Sequence, residues 1–355
     1  MKKVIITGIT GQDGSFMADY LLNNYNNIEV YGAHRRLSVP NHKNIEHLKS
    51  NPRFHLLELD VTDQFNLNYV IYLIKPDFYI NFAANSFVGN SWKMPMNHMQ
   101  TNCMSVMYAL ESIRLNSPLT KFYNAGSSEQ FGDIDYCPQD LKHPFKPRSP
   151  YGASKCAAHH MIKVYRESYN LFCIQGILFN HEGTRRGEEF VTRKITKNVA
   201  KIAKAIKYDY KYEPLELGNI YSKRDWSDAE DFVRGVWLML NQKEPKDYVL
   251  ASNETHTVKE FVELSFRYAG IEGRWIGEDI KEKFVLFKYK EEKFFYEDGP
   301  VLMKINSEFY RPAEVDVLWG DSQPARTELN WLPETSFEQL VKKMIDYDMQ
   351  DCILK

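Results

Sequence analysis

Short apolar runs alternate with longer amphipathic stretches along the first half of the chain. Six runs are typical of buried strands, and they span residues 2–8, 29–34, 54–60, 77–84, 121–127 and 172–179. Apolar residues at helical spacing fill the stretches 15–25 and 104–115 between them. Continuously apolar strands separated by helices favour a parallel sheet that is covered on both faces. The pattern therefore predicts an α/β fold with a doubly wound parallel sheet.

The pattern changes after about residue 180. Charged and aromatic residues become denser, as in KAIKYDYKYEP and KEKFVLFKYKEEKFFYEDG, and the regular alternation fades. We interpret these lysine–aromatic runs as solvated faces of a hairpin or helix, because acidic residues within them disfavour nucleic-acid binding. We expect residues 1–180 to form the sheet domain. Residues 181–355 are expected to form mainly a smaller, interleaved substrate-binding lobe, with some segments returning to the first domain.

Composition is that of an ordinary globular protein, with 355 residues, 43% hydrophobic and 26% charged. The formal net charge of −2 offers no general attraction to nucleic acid or to an anionic membrane. Five scattered cysteines without CxxC spacing predict reduced thiols and no metal site. No secretory leader and no apolar run of roughly 18 residues is visible. We therefore expect a soluble, cytoplasmic protein.

A glycine-rich turn follows the first apolar run. Gly8, Gly11 and Gly14 stand in VIITGITGQDGSFMADYLL, between a predicted strand and a predicted helix. Such glycines let the backbone approach a pyrophosphate, whose charge the helix N-terminus attracts. The turn thus predicts a Rossmann-type dinucleotide site. The residues expected to contact the cofactor here are Gly8, Thr10, Gly11, Gln12, Asp13 and Gly14.

The ends of the next strands refine the prediction of the cofactor. Arg35 and Arg36 follow the second strand, where a site that prefers NAD normally carries an acid. Two arginines suit the 2′-phosphate of NADP, so NADP is favoured. Asp60 ends the third strand and could accept a hydrogen bond from an adenine amino group. Small or polar residues near the third and fourth strands complete the expected cofactor set: Val61, Ala83, Ala84 and Ser86.

Tyr151 and Lys155 are four residues apart in SPYGASKCAAHHM, which places them on one face of a predicted helix. An ammonium group near a phenol favours the phenolate and lowers the pKa of the tyrosine. Tyr151 could then accept a proton from a substrate hydroxyl while hydride leaves the same carbon. Ser127 lies 24 residues upstream at the end of a strand. Together with the glycine-rich turn, this is the layout of an extended short-chain dehydrogenase/reductase.

Glu129 in GSSEQFG has no obvious use in simple hydride transfer. Once a sugar carbon is oxidised to a ketone, however, the proton on the neighbouring carbon becomes acidic. A carboxylate can remove that proton, and a hydroxyl one carbon further departs as water. The stored hydride can then return to the terminal carbon. Glu129 therefore predicts a dehydration without net redox change.

The chain resembles GDP-mannose 4,6-dehydratases along nearly its whole length. The resemblance lies in ITGQDGS, the RR pair, SSEQFG, SPYGASK, NHEGTRRGEEFVTRKIT, LGNIYSKRDW and YRPAEVDVLWGD. It implies tightly bound NADP that is recycled in each turnover, a GDP-sugar substrate and a GDP-4-keto-6-deoxymannose product. Tetramers are common in the family, with the segment around Arg35–Ser38 meeting a neighbouring subunit, so we expect a dimer or tetramer.

The resemblance also implies roles for individual residues. The catalytic set corresponds to Ser127, Glu129, Tyr151 and Lys155. His181 and Arg186 correspond to residues at or near the cofactor. The substrate set corresponds to Ser86, Ser127, Asn180, Lys194, Arg224, Arg311 and Glu314, with the arginines on the diphosphate and Glu314 on a ribose.

Several positions depart from the family pattern. AANSFV stands where AAQSHV is usual, and Gly183–Thr184 and Ser227–Asp228 also differ; a tyrosine usual near the nicotinamide is replaced around Met96. Because some of these changes are expected near the sugar, the same chemistry on a GDP-manno-heptose or another GDP-sugar stays open. A nucleotide-sugar epimerase or reductase is the other enzymatic alternative, and Glu129 argues against it. A non-catalytic nucleotide-sensing protein is disfavoured because Tyr151 and Lys155 are both present.

Overall fold

The computed structural model describes residues 1–289, 292–293, 299–310, 315 and 317–353. The strands within these residues are β1 (Lys2–Thr7), β2 (Ile28–His34), β3 (Phe54–Glu58), β4 (Phe78–Asn81), β5 (Lys121–Ala125), β6 (Cys173–Leu178), β7 (Asn180–Glu182), β8 (Leu215–Leu217), β9 (Lys223–Arg224), β10 (Trp226–Asp228), β11 (Tyr248–Leu250), β12 (His256–Thr257), β13 (Ile271–Ile276), β14 (Lys283–Tyr289), β15 (Glu292–Lys293), β16 (Val301–Ile305) and β17 (Val317–Leu318).

The helices are α1 (Gln12–Asn24), α2 (Gln64–Ile74), α3 (Val88–Ser91), α4 (Pro95–Met99), α5 (Ser105–Asn116), α6 (Pro150–Tyr169), α7 (Val191–Lys207), α8 (Ala229–Leu240), α9 (Val258–Tyr268), α10 (Gln323–Leu329) and α11 (Phe337–Ile353). A π-helical turn at Gln100–Met104 joins α4 to α5. None of the described helices combines the length and apolar character that a membrane crossing needs.

A seven-stranded parallel sheet has the order β11-β6-β5-β4-β1-β2-β3. Its six longer strands are those that the sequence predicted, and the doubly wound α/β fold is confirmed. The strand order reverses between β1 and β4. In such sheets ligands bind at the carboxyl ends of the strands beside this switch point.

Apolar side chains cover both faces of the sheet, which explains the continuous apolar runs. On one face the core contains Val4 of β1, Phe16 of α1 and Phe232 of α8. On the other face Ile5 packs with residues of α2, α5 and α6. Because α8 and β11 come from the second half of the chain, that half contributes to the sheet as well as to its own lobe.

A separate core forms among α7, α9, α11 and a second sheet with the order β13-β14-β16-β8. The described part of the second lysine–aromatic run forms an antiparallel pair of β14 with β15. Its apolar side chains Phe284, Val285 and Leu286 are buried, so this part is not the solvated face that the sequence predicted. The first run continues α7 to Lys207 and then leaves regular structure. The division of the chain at residues 180 and 181 stays a prediction.

Candidate active site

A cleft of about 1390 Å³ lies at the carboxyl ends of the central strands. Its walls include residues that directly follow β1, β4 and β5, together with β7 and the start of α7. Because these strands run parallel, segments that are far apart in the chain meet at one edge of the sheet. The cleft therefore contains the segments to which the sequence assigned the cofactor and the catalytic residues.

The glycine-rich turn forms one end of the cleft. Every residue predicted there lines it: Gly8, Thr10, Gly11, Gln12, Asp13 and Gly14. Gly8 has a φ of 69°, and a Cβ on Gly14 would lie 2.4 Å from the Gly8 carbonyl oxygen. Both positions therefore require glycine for the tight approach of α1 to β1.

The same turn fits an anionic group. Gly11 is the N-cap of α1 and provides no capping side chain, so the first-turn N–H groups of the helix lie at the cleft. The buried Oε1 atom of Gln12 has no hydrogen-bond partner within the described part of the chain. A pyrophosphate suits the N–H groups and the positive end of the helix dipole.

The neighbouring wall contains most of the other predicted cofactor residues. Those that line the cleft are Arg35, Asp60, Val61, Ala83, Ala84 and Ser86. Arg36 is exposed but is not part of the lining. Asp60 Oδ1 accepts hydrogen bonds from the backbone N–H and the hydroxyl of Thr62, at 2.9 and 2.7 Å. Arg35 therefore faces the cleft and Arg36 does not, although the two residues are adjacent in sequence.

Tyr151 and Lys155 lie in the first two turns of α6, at the middle of the cleft. Ser149 caps this helix by accepting a hydrogen bond from the Gly152 N–H at 3.0 Å. Both side chains are buried, and Lys155 Nζ donates to the Ala125 carbonyl at the end of β5, at 2.7 Å. The lysine Nζ is 5.8 Å from the centre of the Tyr151 ring. The predicted pair is therefore brought together and joined to the sheet.

Burial dominates the proton affinities of this pair. It raises the pKa of Tyr151 to about 12, while the hydrogen bond with Ser127 acts in the opposite direction. Burial also lowers the pKa of Lys155 to about 8. The expectation that Lys155 lowers the pKa of Tyr151 is not met in this structure, because removal of the phenolate from water is the larger effect.

Ser127 and Glu129 occupy a short 3-10 turn after β5, and both line the cleft. Ser127 Oγ accepts from the Glu129 N–H at 3.3 Å, and Gln130 Oε1 accepts from the Ser127 N–H at 2.9 Å. This capping box holds the turn tightly. The negative charge of Glu129 acts on the phenol in the same direction as burial and raises the pKa of Tyr151.

Three further predicted substrate residues line the cleft: Asn180, Lys194 and Arg224. His181 and Arg186, which the sequence placed at or near the cofactor, line it as well. Asn180 Oδ1 is buried without a hydrogen-bond partner among the described residues. Lys194 Nζ lies 3.9 Å from the centre of the Phe309 ring. Arg311 and Glu314, which the sequence also assigned to the substrate, lie outside the described residues.

Some lining residues were not predicted as site residues. Asn97, Thr101, Phe190, Phe309 and Tyr310 line the cleft. Asn97 and Thr101 come from α4 and the π-helical turn, and Asn85 Nδ2 donates to both of their side chains. Asn97, Thr101 and Phe309 stand in none of the quoted motifs, and only the fold brings their segments to the cleft. Phe190 and Tyr310 stand in two of the motifs, but the sequence assigned them no role. Asn85 and Phe87, which depart from the family pattern, also line it.

Comparisons with known proteins agree with these features. A family model described as "GDP-mannose 4,6 dehydratase" matches residues 5–344. The GDP-mannose 4,6 dehydratase of Drosophila melanogaster is 41% identical over 359 residues, which are 98% of this chain and 86% of that protein. The human protein of the same name is 41% identical over 356 residues, 98% of this chain and 91% of that protein.

A solved dTDP-glucose 4,6-dehydratase from Streptomyces venezuelae, titled as having NAD and TYD bound, has a TM-score of 0.81 and 18% sequence identity. The match covers 98% of this chain and 97% of that one. At this identity the structural similarity shows the fold, whereas the family model and the curated relatives show the family. The chain belongs to the GDP-mannose 4,6-dehydratase family.

Proposed function

We propose that this protein converts GDP-mannose to GDP-4-keto-6-deoxymannose by oxidation at C4, loss of water across C5 and C6, and return of hydride to C6. Family membership supports this activity. The observation that carries it is the position of Glu129 in the lining of the same cleft as Tyr151 and Lys155. A simple reductase needs the tyrosine and the lysine, but it has no use for the additional base.

We further propose NADP as the cofactor. The glycine-rich turn would hold the pyrophosphate, Arg35 the 2′-phosphate, and Asp60 the adenine. Bound in this way, the nicotinamide would supply a hydride acceptor at the start of the cycle and a hydride donor at its end. The small residues Ala83 and Ala84 leave the floor of the cleft open to a flat ring.

Tyr151 is the proposed base for the substrate hydroxyl at C4. In its phenolate form, its oxygen accepts that proton. The same proton balances the cycle when C5 is protonated after hydride has returned to C6. Ser127, which hydrogen-bonds to Tyr151, would orient the same substrate oxygen. Lys155 stays fixed to the sheet through the Ala125 carbonyl and holds its ammonium group over the Tyr151 ring.

Glu129 is the proposed base and acid of the elimination. Its carboxylate removes the proton from C5 once C4 is a ketone, and gives a proton to the hydroxyl that leaves C6 as water. The short turn after β5 limits how far the carboxylate can move, which favours this positioned proton transfer.

Cationic groups support the assignment of a nucleoside diphosphate sugar as substrate. Lys194 and Arg224 line the cleft, and Arg224 is buried. A buried guanidinium suits a diphosphate because it offers parallel donors. The assignments of Arg311 to the diphosphate and Glu314 to a ribose stay predictions.

We also propose a homo-oligomer, either a dimer or a tetramer, in the cytoplasm. Exposed residues at 35–39 include the apolar side chains of Leu37 and Val39, which support contact with a neighbouring subunit. Light scattering on the purified protein measures the state directly. A monomer at micromolar concentration would contradict this part of the proposal.

The main test incubates the purified protein with GDP-mannose, and separately with a GDP-manno-heptose, without added reductant. Mass spectrometry should find a product of GDP-mannose that is lighter by one water molecule, while the amount of NADP and the amount of NADPH each stay constant. Loss of water only from the GDP-manno-heptose would show that the protein prefers a heptose, and it would assign that preference to the departures from the family pattern at Asn85 and Phe87. A product of unchanged mass would favour an epimerase. Turnover that occurs only when NADPH is added, and that consumes it stoichiometrically, would favour a reductase.

A further inference from the structure

Asp13 and His181 line the cleft and join two segments that are far apart in the chain. Asp13 lies in the first turn of α1, and its Oδ2 atom is 2.9 Å from His181 Nε2 in β7. The Gln12 amide donates both to Asp13 Oδ1 at 3.1 Å and to the His181 carbonyl at 3.0 Å. We call these three residues the Asp13–His181 clasp. It connects the glycine-rich turn with a strand that follows more than 160 residues later.

The surroundings of His181 determine its protonation. Its Nδ1 atom is 2.8 Å from the Phe179 carbonyl oxygen, and its Nε2 atom faces the Asp13 carboxylate. Both oxygens can only accept hydrogen bonds when Asp13 is ionised, so both ring nitrogens must donate. His181 is then an imidazolium. The ring also stacks on Phe232 with 4.8 Å between centres and 19° between planes, which favours a cation.

The proton affinities agree with this geometry. Burial opposes the charge on His181, yet the Asp13 carboxylate raises the pKa of the imidazole above its ordinary value. Burial likewise opposes the charge on Asp13, yet His181 and then Arg186 hold the pKa of that carboxyl below its ordinary value. Besides Asp13, the charged group that acts on His181 is Arg186. The residue of β10 that pairs with His181 is the uncharged Ser227.

The position of Asp13 raises an electrostatic problem. Its carboxylate lies in the turn where the proposed function places a pyrophosphate, and two like charges at one helix N-terminus repel each other. We infer that His181 is a positioning residue whose imidazolium neutralises Asp13 and ties the glycine-rich turn to β7. The turn can thereby accept the pyrophosphate. This inference rests on the proposed function for the identity of the anion.

The clasp also connects the two halves of the site. Asn180, a proposed substrate residue, precedes His181 in β7, and β7 pairs with β10 directly after Arg224 and Asp225. A displacement of β7 would therefore move Asn180 together with the glycine-rich turn. His181 thus acts on the site through Asp13 and β7.

Three variants separate charge neutralisation from a purely structural contact. His181→Gln keeps a hydrogen-bonding side chain but leaves Asp13 uncompensated, so NADPH affinity should fall roughly tenfold. Asp13→Asn combined with His181→Gln removes both charges and should restore most of that affinity. Asp13→Asn alone should weaken NADPH binding less than His181→Gln does, because it leaves no uncompensated negative charge beside the pyrophosphate. Fluorescence titration with NADPH measures each dissociation constant.

Two controls accompany these variants. His47→Gln changes a second imidazole–carboxylate pair, which His47 forms with Asp19 at 2.6 Å outside the main cleft, and it should leave NADPH affinity unchanged. In the wild-type protein, ¹⁵N NMR should find both ring nitrogens of His181 protonated at neutral pH. His143 serves as the internal reference, because its Nε2 accepts from the Asp135 N–H and must be unprotonated.

In the wild-type protein, NADPH affinity should decline as pH rises through the raised pKa of His181. The double variant should show no such decline, and this pair of results would support the inference. A neutral His181, or a double variant that binds NADPH no better than His181→Gln, would overturn it. If the wild-type protein fails to bind NADPH, the proposed cofactor is wrong, and the NMR measurement still decides the protonation of the clasp.

Discussion

Single residues determine which reaction the cleft can perform. Glu129 follows two residues after Ser127 in a turn that a capping box closes, so its backbone has little freedom. The sequence motif already indicated that these two side chains lie close together, because both residues belong to one short segment. It was not sufficient for the pKa of Tyr151, because burial depends on distant segments that cover the ring.

Glu129→Gln preserves the size of the side chain but removes the base. We expect release of the dehydrated product to fall at least about a hundredfold, the usual contribution of a positioned base. Exchange of the C5 hydrogen with deuterium from solvent should fall in parallel. Glu167→Gln, near the other end of α6, is the matched control and should retain full activity. Normal release of the 6-deoxy product by Glu129→Gln would exclude the assigned role.

Arg35 and Arg36 provide a direct comparison of two adjacent cations. Only Arg35 lines the cleft, although both side chains are exposed. Arg35→Ala should therefore weaken NADPH binding roughly tenfold or more, since a charge-assisted hydrogen bond to the 2′-phosphate is lost, and leave NADH binding nearly unchanged. Arg36→Ala should have a much smaller effect in the same titrations. Equal effects of both variants would contradict the assignment to Arg35.

At the scale of elements, the predictable part of the fold is the part with strong periodicity. The predicted strands agree with β1 to β6 within a few residues at each end. Helix α1 begins at Gln12, three residues before the predicted stretch, because the glycine-rich turn enters the helix at once. Strands such as β7 and β9 have only three and two residues, which is too short for any alternation to indicate them.

A buried polar ladder ties the carboxyl ends of β1, β4 and β5 together below the cleft. Thr7 Oγ1 donates to Asn81 Oδ1 at 2.6 Å, and Asn81 Nδ2 donates to Asn124 Oδ1 at 2.8 Å. The Ala83 N–H donates to the same threonine hydroxyl at 3.2 Å. These bonds fix the ends of the three strands, and the residues that follow those strands line the cleft. Apolar periodicity cannot reveal them, because the polar side chains interrupt it.

Asn81→Leu should destabilise the protein by about 3 kcal/mol, since Thr7 and Asn124 each lose a partner in a buried place. Urea unfolding followed by circular dichroism measures the change. Asn68→Leu makes the same replacement in an exposed asparagine pair with Asn116 and should cost less than about 0.5 kcal/mol. Similar losses for the two variants would show that the ladder contributes nothing particular.

At the scale of the whole molecule, α11 connects the two cores. Asp348 of α11 forms an ion pair with Arg193 of α7 at 2.8 Å, and both side chains are buried. Thr196 donates to the second Asp348 oxygen at 2.7 Å. At the other face of α11, Lys343 pairs with Asp228 and Glu230 at the start of α8, which packs on the main sheet. The C-terminal helix thus fastens the second lobe to the first.

Replacement of Arg193 tests how strongly this connection depends on its charge. Arg193→Met leaves the Asp348 carboxylate buried without its cation, and we expect a loss of about 3–5 kcal/mol in the free energy of unfolding at pH 8. Burial already raises the pKa of Asp348. Without Arg193 that pKa rises further, and the folded protein then binds a proton more tightly than the unfolded chain. The loss should therefore shrink as pH falls through the folded-state pKa.

A double variant decides whether the charge itself or the packing is responsible. Arg193→Met combined with Asp348→Leu removes both charges at similar volume, so it should recover most of the stability that Arg193→Met loses. Lys342→Met in the exposed pair with Asp346 on the same helix should cost less than about 1 kcal/mol. Urea unfolding at pH 5 and pH 8 provides all of these values. If the double variant is no more stable than Arg193→Met at pH 8, packing by the arginine side chain holds α11 in place, and the ion pair does not.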